Sequence, residues 1–373
     1  MASKFEGTSK SATLKAPRKL LTIAALIALA LPSGVSFANT QDIKQSVNRV
    51  TNPSHGVLLA DNPYREASFK PGVNKVTFQS EGVKMVGNLY MPTSYKPGDK
   101  LPAVVVAGAW TTVKEQMPDL YAKRLVEQGF ATLTFDFRFW GESGGELREY
   151  ESPQKKIEDI KNAVTYLRSL PMIDANRIGG LGVCASAGYM AQAIADGAEL
   201  NSFVTVAAWL HDSESLQKVF GEEGVRRKME AGMAALQKYE QTGQVEYVPA
   251  YKQNDPNAAM SSPLGYYGDS SRGAIAQWKN QFAVMSWPEW LQFNAIGAAP
   301  KVNISTLFIH SDNSALPDSV RKFYNDMPGQ KKLFWTQGQH TDFYDKEPYV
   351  TEAVQVAAAH FKNTLQDAPI SQK

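Results

Sequence analysis

The sequence has almost no thiol chemistry to hold it together. Its 373 residues include one cysteine and five histidines. A single cysteine cannot form a disulfide within the chain, so the fold must be stabilised by its hydrophobic core. The lone thiol and the scattered histidines also give no zinc-ligand spacing. We therefore expect neither a metal nor a cofactor.

Long basic tracts and long apolar runs are missing as well. The chain carries 39 Lys plus Arg against 37 Asp plus Glu, a formal charge of +2. This balance gives no electrostatic footprint for nucleic acid. After residue 40, no segment approaches the roughly 18 uninterrupted apolar residues that a membrane helix needs. We expect no nucleic-acid partner and no membrane span in the mature form.

Residues 1–38 have the features of a secretory signal peptide. Three basic residues at 15–19 precede an apolar run over 20–31, and a Ser-Phe-Ala site follows at 36–38. A basic start, a short apolar segment and a small-residue cleavage site are the parts of an export signal. The sequence predicts cleavage after Ala38 and a periplasmic or secreted protein.

The rest of the chain alternates between strand and helix patterns after an extended arm at 39–73. The expected strands are at 76–80, 83–91, 102–107, 130–135, the segment leading to residue 184, 203–210, 304–310 and 332–335, and the expected helices are at 117–128, 153–169, 186–195, from 317 onward and at 349–364. Regular alternation predicts a mostly parallel, doubly wound sheet covered by helices on both faces. We expect this α/β core to comprise 74–210 and 301–373.

Residues 211–300 interrupt the alternation with helical patterns and many aromatic side chains. Their place after the sixth strand predicts a helical lid, which could form an apolar substrate wall and exclude water. The same rings could instead fill a small core of the lid itself. The side chains expected to contact a substrate are Trp110, Tyr189 and Trp287.

A glycine-rich apolar run at 179–188 ends in a tight turn of small residues that contains a thiol and a hydroxyl. A sharp strand-to-helix turn of this kind presents a nucleophile and requires small neighbours. Two registers are possible, with Cys184 or Ser186 as the nucleophile. The register in which the nucleophile follows a glycine and one further residue, here Gly182 and Val183, favours Cys184. The risk of oxidation outside the cell favours Ser186.

A nucleophile of this kind needs a base and an acid that orients the base. His340 follows the last expected strand, on the side of the sheet where the elbow opens, and His211 is its rival. Asp312 follows the preceding strand and is the expected acid. Asp212 and Asp318 are the alternatives to Asp312.

The oxyanion of the reaction needs two backbone N–H donors. One comes from the residue after the nucleophile, which is Ala185, or Ala187 if Ser186 attacks. The other comes from the loop after the strand at 102–107, from Ala109 or Trp110.

These motifs resemble those of the α/β-hydrolases, most closely the dienelactone hydrolase-like group. The resemblance runs from about residue 83 to residue 361. The matching residues are Gly108 with Lys-Glu-Gln at 114–116, Phe-Asp-Phe-Arg at 135–138 with Gly-Glu-Ser-Gly-Gly at 141–145, Gly-Val-Cys-Ala-Ser at 182–186, Asp312, and Gln-His at 339–340. The resemblance implies the α/β-hydrolase fold and a cysteine nucleophile at Cys184. The chain departs from the group in its lid, because dienelactone hydrolases are compact and lack a lid of this size. Glu115, Asp136 and Glu142 are expected to form ion pairs and turns.

The expected activity is hydrolysis of a small carboxylic ester, thioester or lactone through an acyl-enzyme. An exopeptidase-like enzyme and an acyltransferase would use the same groups. A non-catalytic protein that holds an apolar ligand under the lid is the remaining alternative, since a fold alone does not fix a function.

Overall fold

A computed structural model describes residues 69–366 of the chain. The signal peptide at 1–38 and the arm up to residue 68 lie outside the described residues, so both stay predictions. Within 69–366, no helix combines the length and the apolar character needed to cross a bilayer.

The core is an eight-stranded sheet. Its strands are β1 (Gly72–Ser80), β2 (Val83–Met91), β3 (Leu101–Ala107), β4 (Ala131–Phe135), β5 (Ile173–Val183), β6 (Ser202–Val206), β9 (Ser305–Ser311) and β10 (Lys331–Thr336), and two short strands, β7 (Tyr247–Val248) and β8 (Phe282–Ala283), pair separately. The spatial order is β1-β2-β4-β3-β5-β6-β9-β10. Six neighbouring strands of this order run parallel to one another, namely β4, β3, β5, β6, β9 and β10. At one edge, β2 pairs antiparallel with β4, and β1 pairs antiparallel with β2. The predicted mostly parallel sheet is confirmed.

Helices cover both faces of this sheet. The helices of the core are α1 (Met117–Val126), α2 (Pro153–Ser169), α3 (Ala185–Ala195), α7 (Pro317–Asp326), α8 (Asp342–Asp345) and α9 (Tyr349–Thr364), and those of the lid insertion are α4 (Ser213–Phe220), α5 (Glu222–Thr242) and α6 (Trp287–Gln292). A Cβ atom on Gly179 would meet Phe361 of α9, and one on Gly180 would meet Met190 of α3. Because neighbouring strand residues point to opposite faces, α9 and α3 cover opposite sides of β5.

The lid insertion, residues 211–300, lies between β6 and β9, as the sequence predicts. Only part of it is helical. Helices α4 and α5 are separated from α6 by an irregular stretch from 243 to 286 that contains 3₁₀ turns and the β7–β8 pair. Many of its aromatic rings are buried, including Tyr267, Trp278 and Trp290. The rings fill the interior of the insertion and also line the cavity described below.

Hydrogen bonds fasten the lid insertion to the core. The Trp278 indole N–H donates to the Thr111 carbonyl at 2.7 Å, and the Gln116 amide donates to the Gly273 carbonyl at 2.7 Å. A third contact joins Ser286 Oγ to the backbone N–H of Glu151 at 2.9 Å. The insertion is therefore attached directly to the loops after β3 and before α2.

A buried ammonium group holds the loops at the carboxyl ends of β3 and β4. Lys114 Nζ lies 2.6 Å from Glu115, 2.8 Å from Asp136 and 2.7 Å from Glu142, and only 1% of its side chain is exposed. Burial acts to lower the pKa of Lys114, but the three carboxylates more than offset it and the net shift is upward. The ion pairs expected of these three acids are therefore present.

Replacing Lys114 by Met should reduce the free energy of unfolding by about 3 kcal/mol or more, because the fully buried Asp136 would lose its counter-ion. Lys75→Met is the matched control, since Lys75 pairs with the exposed side of Glu142 and its own side chain is 62% exposed. The control should cost less than about 1 kcal/mol. Urea unfolding measures both, and equal effects of the two substitutions would contradict the prediction.

Candidate active site

The turn between β5 and α3 holds Cys184 in a strained backbone conformation. Its φ is 55° and its ψ is −120°, a region that non-glycine residues rarely occupy. The turn is tight because helix α3 starts directly behind the strand. A Cβ atom on Gly182 would lie 2.7 Å from the Ala187 nitrogen, so only glycine fits there. The conformation presents the Cys184 side chain at the carboxyl edge of the sheet.

Ser186 occupies a different environment. It lies in the first turn of α3, is fully buried, and its hydroxyl has no hydrogen-bond partner among the described residues. The elbow geometry therefore belongs to Cys184, and Ser186 packs behind it.

Two backbone N–H groups face the Cys184 sulfur, those of Trp110 and Ala185. They come from the loop after β3 and from the residue after the elbow, where an oxyanion hole is expected. Of the two residues considered in the β3 loop, Trp110 supplies this donor. Ala109 instead accepts a hydrogen bond at its carbonyl from the Thr112 hydroxyl, at 2.7 Å.

Burial is the main influence on the thiol. It raises the pKa of Cys184, while the Tyr344 hydroxyl and the two backbone N–H donors lower it to a smaller extent. The side chain is only 5% exposed. Cys184 is therefore a neutral thiol in the resting protein at neutral pH.

Glu151 fixes the loop that carries Trp110. Its fully buried carboxylate accepts hydrogen bonds from the Thr111 N–H at 3.3 Å, the Lys156 ammonium at 2.7 Å and the Tyr189 hydroxyl at 2.8 Å. Thr111 directly follows Trp110, so its hydrogen bond to Glu151 also holds Trp110 next to the elbow.

His340 lines the same cavity as Cys184. It sits in the loop after β10, as the sequence predicts, with Trp209 and Tyr344 rings beside it at centroid distances of 6.5 and 5.5 Å. Burial, with a smaller effect from His310, lowers the pKa of His340 to about 3. Its imidazole is therefore neutral at neutral pH and can accept a proton.

The structure does not bring Asp312 to His340. The Asp312 carboxylate forms an ion pair with Arg321, and 68% of its side chain is exposed. His340 Nδ1 contacts Ser314 Oγ at 2.9 Å and the Ala315 N–H at 3.3 Å. The loop after β9 turns so that Ser314, two residues beyond Asp312, reaches the imidazole. This corrects the expectation that a carboxylate orients the histidine.

The other candidates for acid and base lie elsewhere. Asp212 caps α4 through the Ser215 N–H, and Asp318 pairs with Arg321 on the surface. His211 is buried with both ring nitrogens occupied, by the Trp209 indole and the Trp290 carbonyl. None of these groups is available to the Cys184 thiol.

The cavity has a volume of about 800 Å³ and lies between the carboxyl edge of the sheet and the lid insertion. Trp110 lines it, whereas Tyr189 is turned to Glu151 behind the elbow, and Trp287 supports Trp110 at a centroid distance of 5.7 Å. Of the three expected substrate contacts, the structure therefore places only Trp110 on the cavity wall. A second cavity of about 640 Å³, within the insertion, contains none of the predicted site residues.

A group of three carboxylates, Glu115, Asp136 and Glu142, has the spacing of a metal site. The Lys114 ammonium contacts all three of them. The group lies away from the cavity that holds Cys184 and His340, and it fits the ion-pair role expected from the sequence.

Sequence reasoning missed Ser314, Tyr267 and Tyr344. Tyr344 follows His340 by four residues on the short helix α8, and its hydroxyl bonds to Cys184 and to Tyr267. A tyrosine close behind the expected base was an available signal. Ser314 had no signal of its own, because a serine in a loop rich in polar residues is common.

An open, mostly parallel sheet with its reactive turn after β5 is the architecture of the α/β-hydrolases, and this chain is a hydrolase of that class. It belongs to the X-Pro dipeptidyl-peptidase (S15) family, which it matches over residues 81–342. The predicted α/β-hydrolase resemblance is confirmed.

Individual relatives agree with this placement. YcjY, an uncharacterized protein of Escherichia coli strain K12, is 29% identical over 279 residues, which cover 70% of this chain and 89% of YcjY. The thiohydrolase aneE of Aspergillus aculeatus is 31% identical over 248 residues, 62% of this chain and 76% of aneE. The crystal structure of the hypothetical protein PA2218 of Pseudomonas aeruginosa has a TM-score of 0.69 at 26% identity, over 80% of this chain and 95% of that one.

The state of the thiol can be measured without interference, because Cys184 is the only cysteine. We expect iodoacetamide to alkylate it more slowly than free cysteine at pH 7, with a rate that still rises above pH 9, since burial raises its pKa. Mass spectrometry over a pH series measures the rate, with urea-unfolded protein as the control. A plateau below pH 7 would show a resting thiolate instead.

Proposed function

We propose that the protein hydrolyses a carboxylic ester, thioester or lactone through an acyl-enzyme on Cys184, with His340 as base. The observation that carries this proposal is the strained elbow at Cys184, whose sulfur faces two backbone N–H donors inside a cavity that His340 also lines. Elbow strain persists only where the surrounding structure enforces it, and it is typical of a residue that must be presented to a substrate.

In the first half-reaction, the neutral His340 imidazole takes the Cys184 proton as the sulfur attacks the carbonyl carbon. The carbonyl oxygen becomes an oxyanion that the Trp110 and Ala185 N–H groups stabilise. When the tetrahedral intermediate collapses, the carbon–oxygen or carbon–sulfur bond to the leaving group breaks. His340 returns the proton to the departing alkoxide or thiolate, and the acyl group remains on the sulfur.

In the second half-reaction, His340 takes a proton from water, and the resulting hydroxide attacks the acyl-enzyme. The carbon–sulfur bond breaks, the acid leaves, and the His340 imidazolium returns its proton to the departing thiolate, which regenerates the neutral Cys184 thiol and the neutral imidazole. For His340 Nε2 to take the proton of the thiol or of water, the neutral ring must carry its hydrogen on Nδ1, and the Ser314 hydroxyl oxygen can accept a hydrogen bond from this N–H in both the neutral and the charged ring. It supplies orientation without the negative charge of a carboxylate.

The cavity wall favours an acyl substrate over an X-Pro peptide. A dipeptidyl-peptidase has to hold the charged amino terminus of its substrate, which requires a free carboxylate or similar acceptor. Asp342 is the one carboxylate among the described residues lining this cavity, and it is engaged by Lys346 and the Gln339 N–H. The similarity to a protein named as a thiohydrolase gives independent support for thioester chemistry.

Replacing Cys184 by Ala should lower kcat/KM for p-nitrophenyl butyrate by about a thousandfold or more, and His340→Gln should do nearly the same. Ser186→Ala is the matched control. This substitution should change kcat/KM less than about threefold, because the Ser186 hydroxyl has no hydrogen-bond partner among the described residues. A burst assay and the mass of the trapped acyl-enzyme complete the test. An acyl group found on Ser186, or full activity of the Cys184→Ala variant, would reject the proposal.

Ser314→Ala should lower kcat about tenfold with little change in KM, because a neutral hydrogen bond that orients the base is lost. Asp312→Asn is the matched control and should leave kcat within about twofold. Ser314→Asp places a negative charge beside His340, which should raise its pKa and move the acidic limb of the kcat/KM profile to higher pH. An effect of Asp312→Asn larger than that of Ser314→Ala would restore Asp312 as the orienting residue.

A further inference from the structure

Four cationic side chains line the cavity, Arg227, Lys228, Arg272 and Lys346. Two of them are neutralised by nearby acids. Arg272 forms a two-pronged ion pair with Asp345, and Lys346 pairs with Asp342 at 2.8 Å. The other two, Arg227 and Lys228, are consecutive residues of helix α5 in the lid insertion.

Lys228 has no ion-pair partner among residues 69–366. Its ammonium lies over two aromatic rings, 4.1 Å from the Trp287 centroid and 5.0 Å from the Phe220 centroid. Ring contacts stabilise the charge, but they leave the three N–H donors of the ammonium without an acceptor. Burial, and to a smaller extent the charge of Arg227, lowers the pKa of Lys228.

Arg227 is also weakly paired. Its closest acid is Glu223, at 3.9 Å, and 71% of its side chain is exposed. Glu223 makes a closer ion pair with Arg226, at 2.6 Å, on the outer side of the helix. The mouth of the cavity therefore carries two adjacent positive charges that the protein itself leaves largely uncompensated.

We propose that the substrate carries a negatively charged group, such as a carboxylate, that binds Lys228 and Arg227 while the acyl carbon lies at Cys184. This inference rests on the proposed function and names its substrate class, a short acidic ester or thioester. An anion at this position accepts hydrogen bonds from the N–H donors of Lys228. These bonds are charge-assisted and form at a half-buried position of the cavity wall.

The positions of the rings connect this anion site with the reacting atoms. Trp287 lies beneath Lys228, and its own ring contacts Trp110 at 5.7 Å between centroids. The Trp110 backbone N–H faces the Cys184 sulfur. Lys228, Trp110 and Cys184 also line the same cavity, so a molecule bound there faces both the ammonium and the thiol.

The test compares matched esters that differ only in charge. On the acyl side, the p-nitrophenyl half-esters of succinic, glutaric and adipic acid are compared with p-nitrophenyl valerate. On the leaving-group side, the butyryl thioester of 3-mercaptopropionate is compared with that of ethanethiol. We expect wild-type kcat/KM to be higher by about tenfold or more for the anionic member of at least one pair. A preference in the first comparison places the negative charge of the substrate on its acyl group, and a preference in the second places it on its leaving group.

Lys228→Gln should lower kcat/KM for the preferred anionic substrate about tenfold and leave the neutral one within about twofold. Arg226→Gln is the matched control, because it removes a positive charge from the same helix outside the cavity. Increasing salt should reduce the anionic preference of the wild type but not that of the Lys228→Gln variant.

The outcomes separate this inference from the proposed function. Hydrolysis of the neutral esters without any anionic preference, or an equal loss on both members of a pair in Lys228→Gln, overturns the anion site and leaves the acyl-enzyme proposal intact. Failure to hydrolyse any ester or thioester overturns the proposed function. In that case, binding of glutarate is measured by the quenching of tryptophan fluorescence. Weaker quenching in Lys228→Gln than in Arg226→Gln still supports the anion site, and equal quenching in the two variants rejects it.

Discussion

The arrangement of the site depends on one buried carboxylate, that of Glu151. It joins the loop after β3, the first turns of α2 and the middle of α3, while its backbone N–H reaches the lid insertion through Ser286. Three parts of the chain thus share one carboxylate, and a fourth contacts the backbone of the same residue. The Lys156 ammonium lies 2.7 Å from the carboxylate, in a place where an unpaired charge would be costly. These contacts hold the loop that carries Trp110 in position.

Desolvation influences the protonation of both Cys184 and His340. Burial disfavours both the thiolate and the imidazolium, so the two groups rest as a neutral pair. No carboxylate is among the hydrogen-bond partners of His340 in residues 69–366. In the proposed mechanism, charge develops only when a substrate carbonyl is present to share it with the two N–H donors. A neutral thiol is also less prone to oxidation than a thiolate.

The sequence was sufficient for features that depend on local spacing. The alternation of strands and helices, the elbow around Cys184 and the histidine after β10 could all be read from the chain, because each is encoded within about ten residues. The partner of His340 could not, since the path of the loop after β9 decides whether Asp312 or Ser314 reaches the ring. The lid insertion was placed correctly but expected to be more helical than it is. Its irregular middle is held by contacts to distant residues rather than by local propensity.

The hydrogen bonds that attach the lid insertion to the core have a consequence for the order of folding. The pair Gln116–Gly273 spans 157 residues of sequence and the pair Thr111–Trp278 spans 167. Contacts between residues this far apart in sequence form late in folding, because the entropy lost in ordering the intervening chain has to be offset first. The loop that carries Trp110 gains its last restraints only when those contacts form. A nascent molecule can therefore complete part of its sheet before the loop that carries Trp110 is fully restrained beside Cys184.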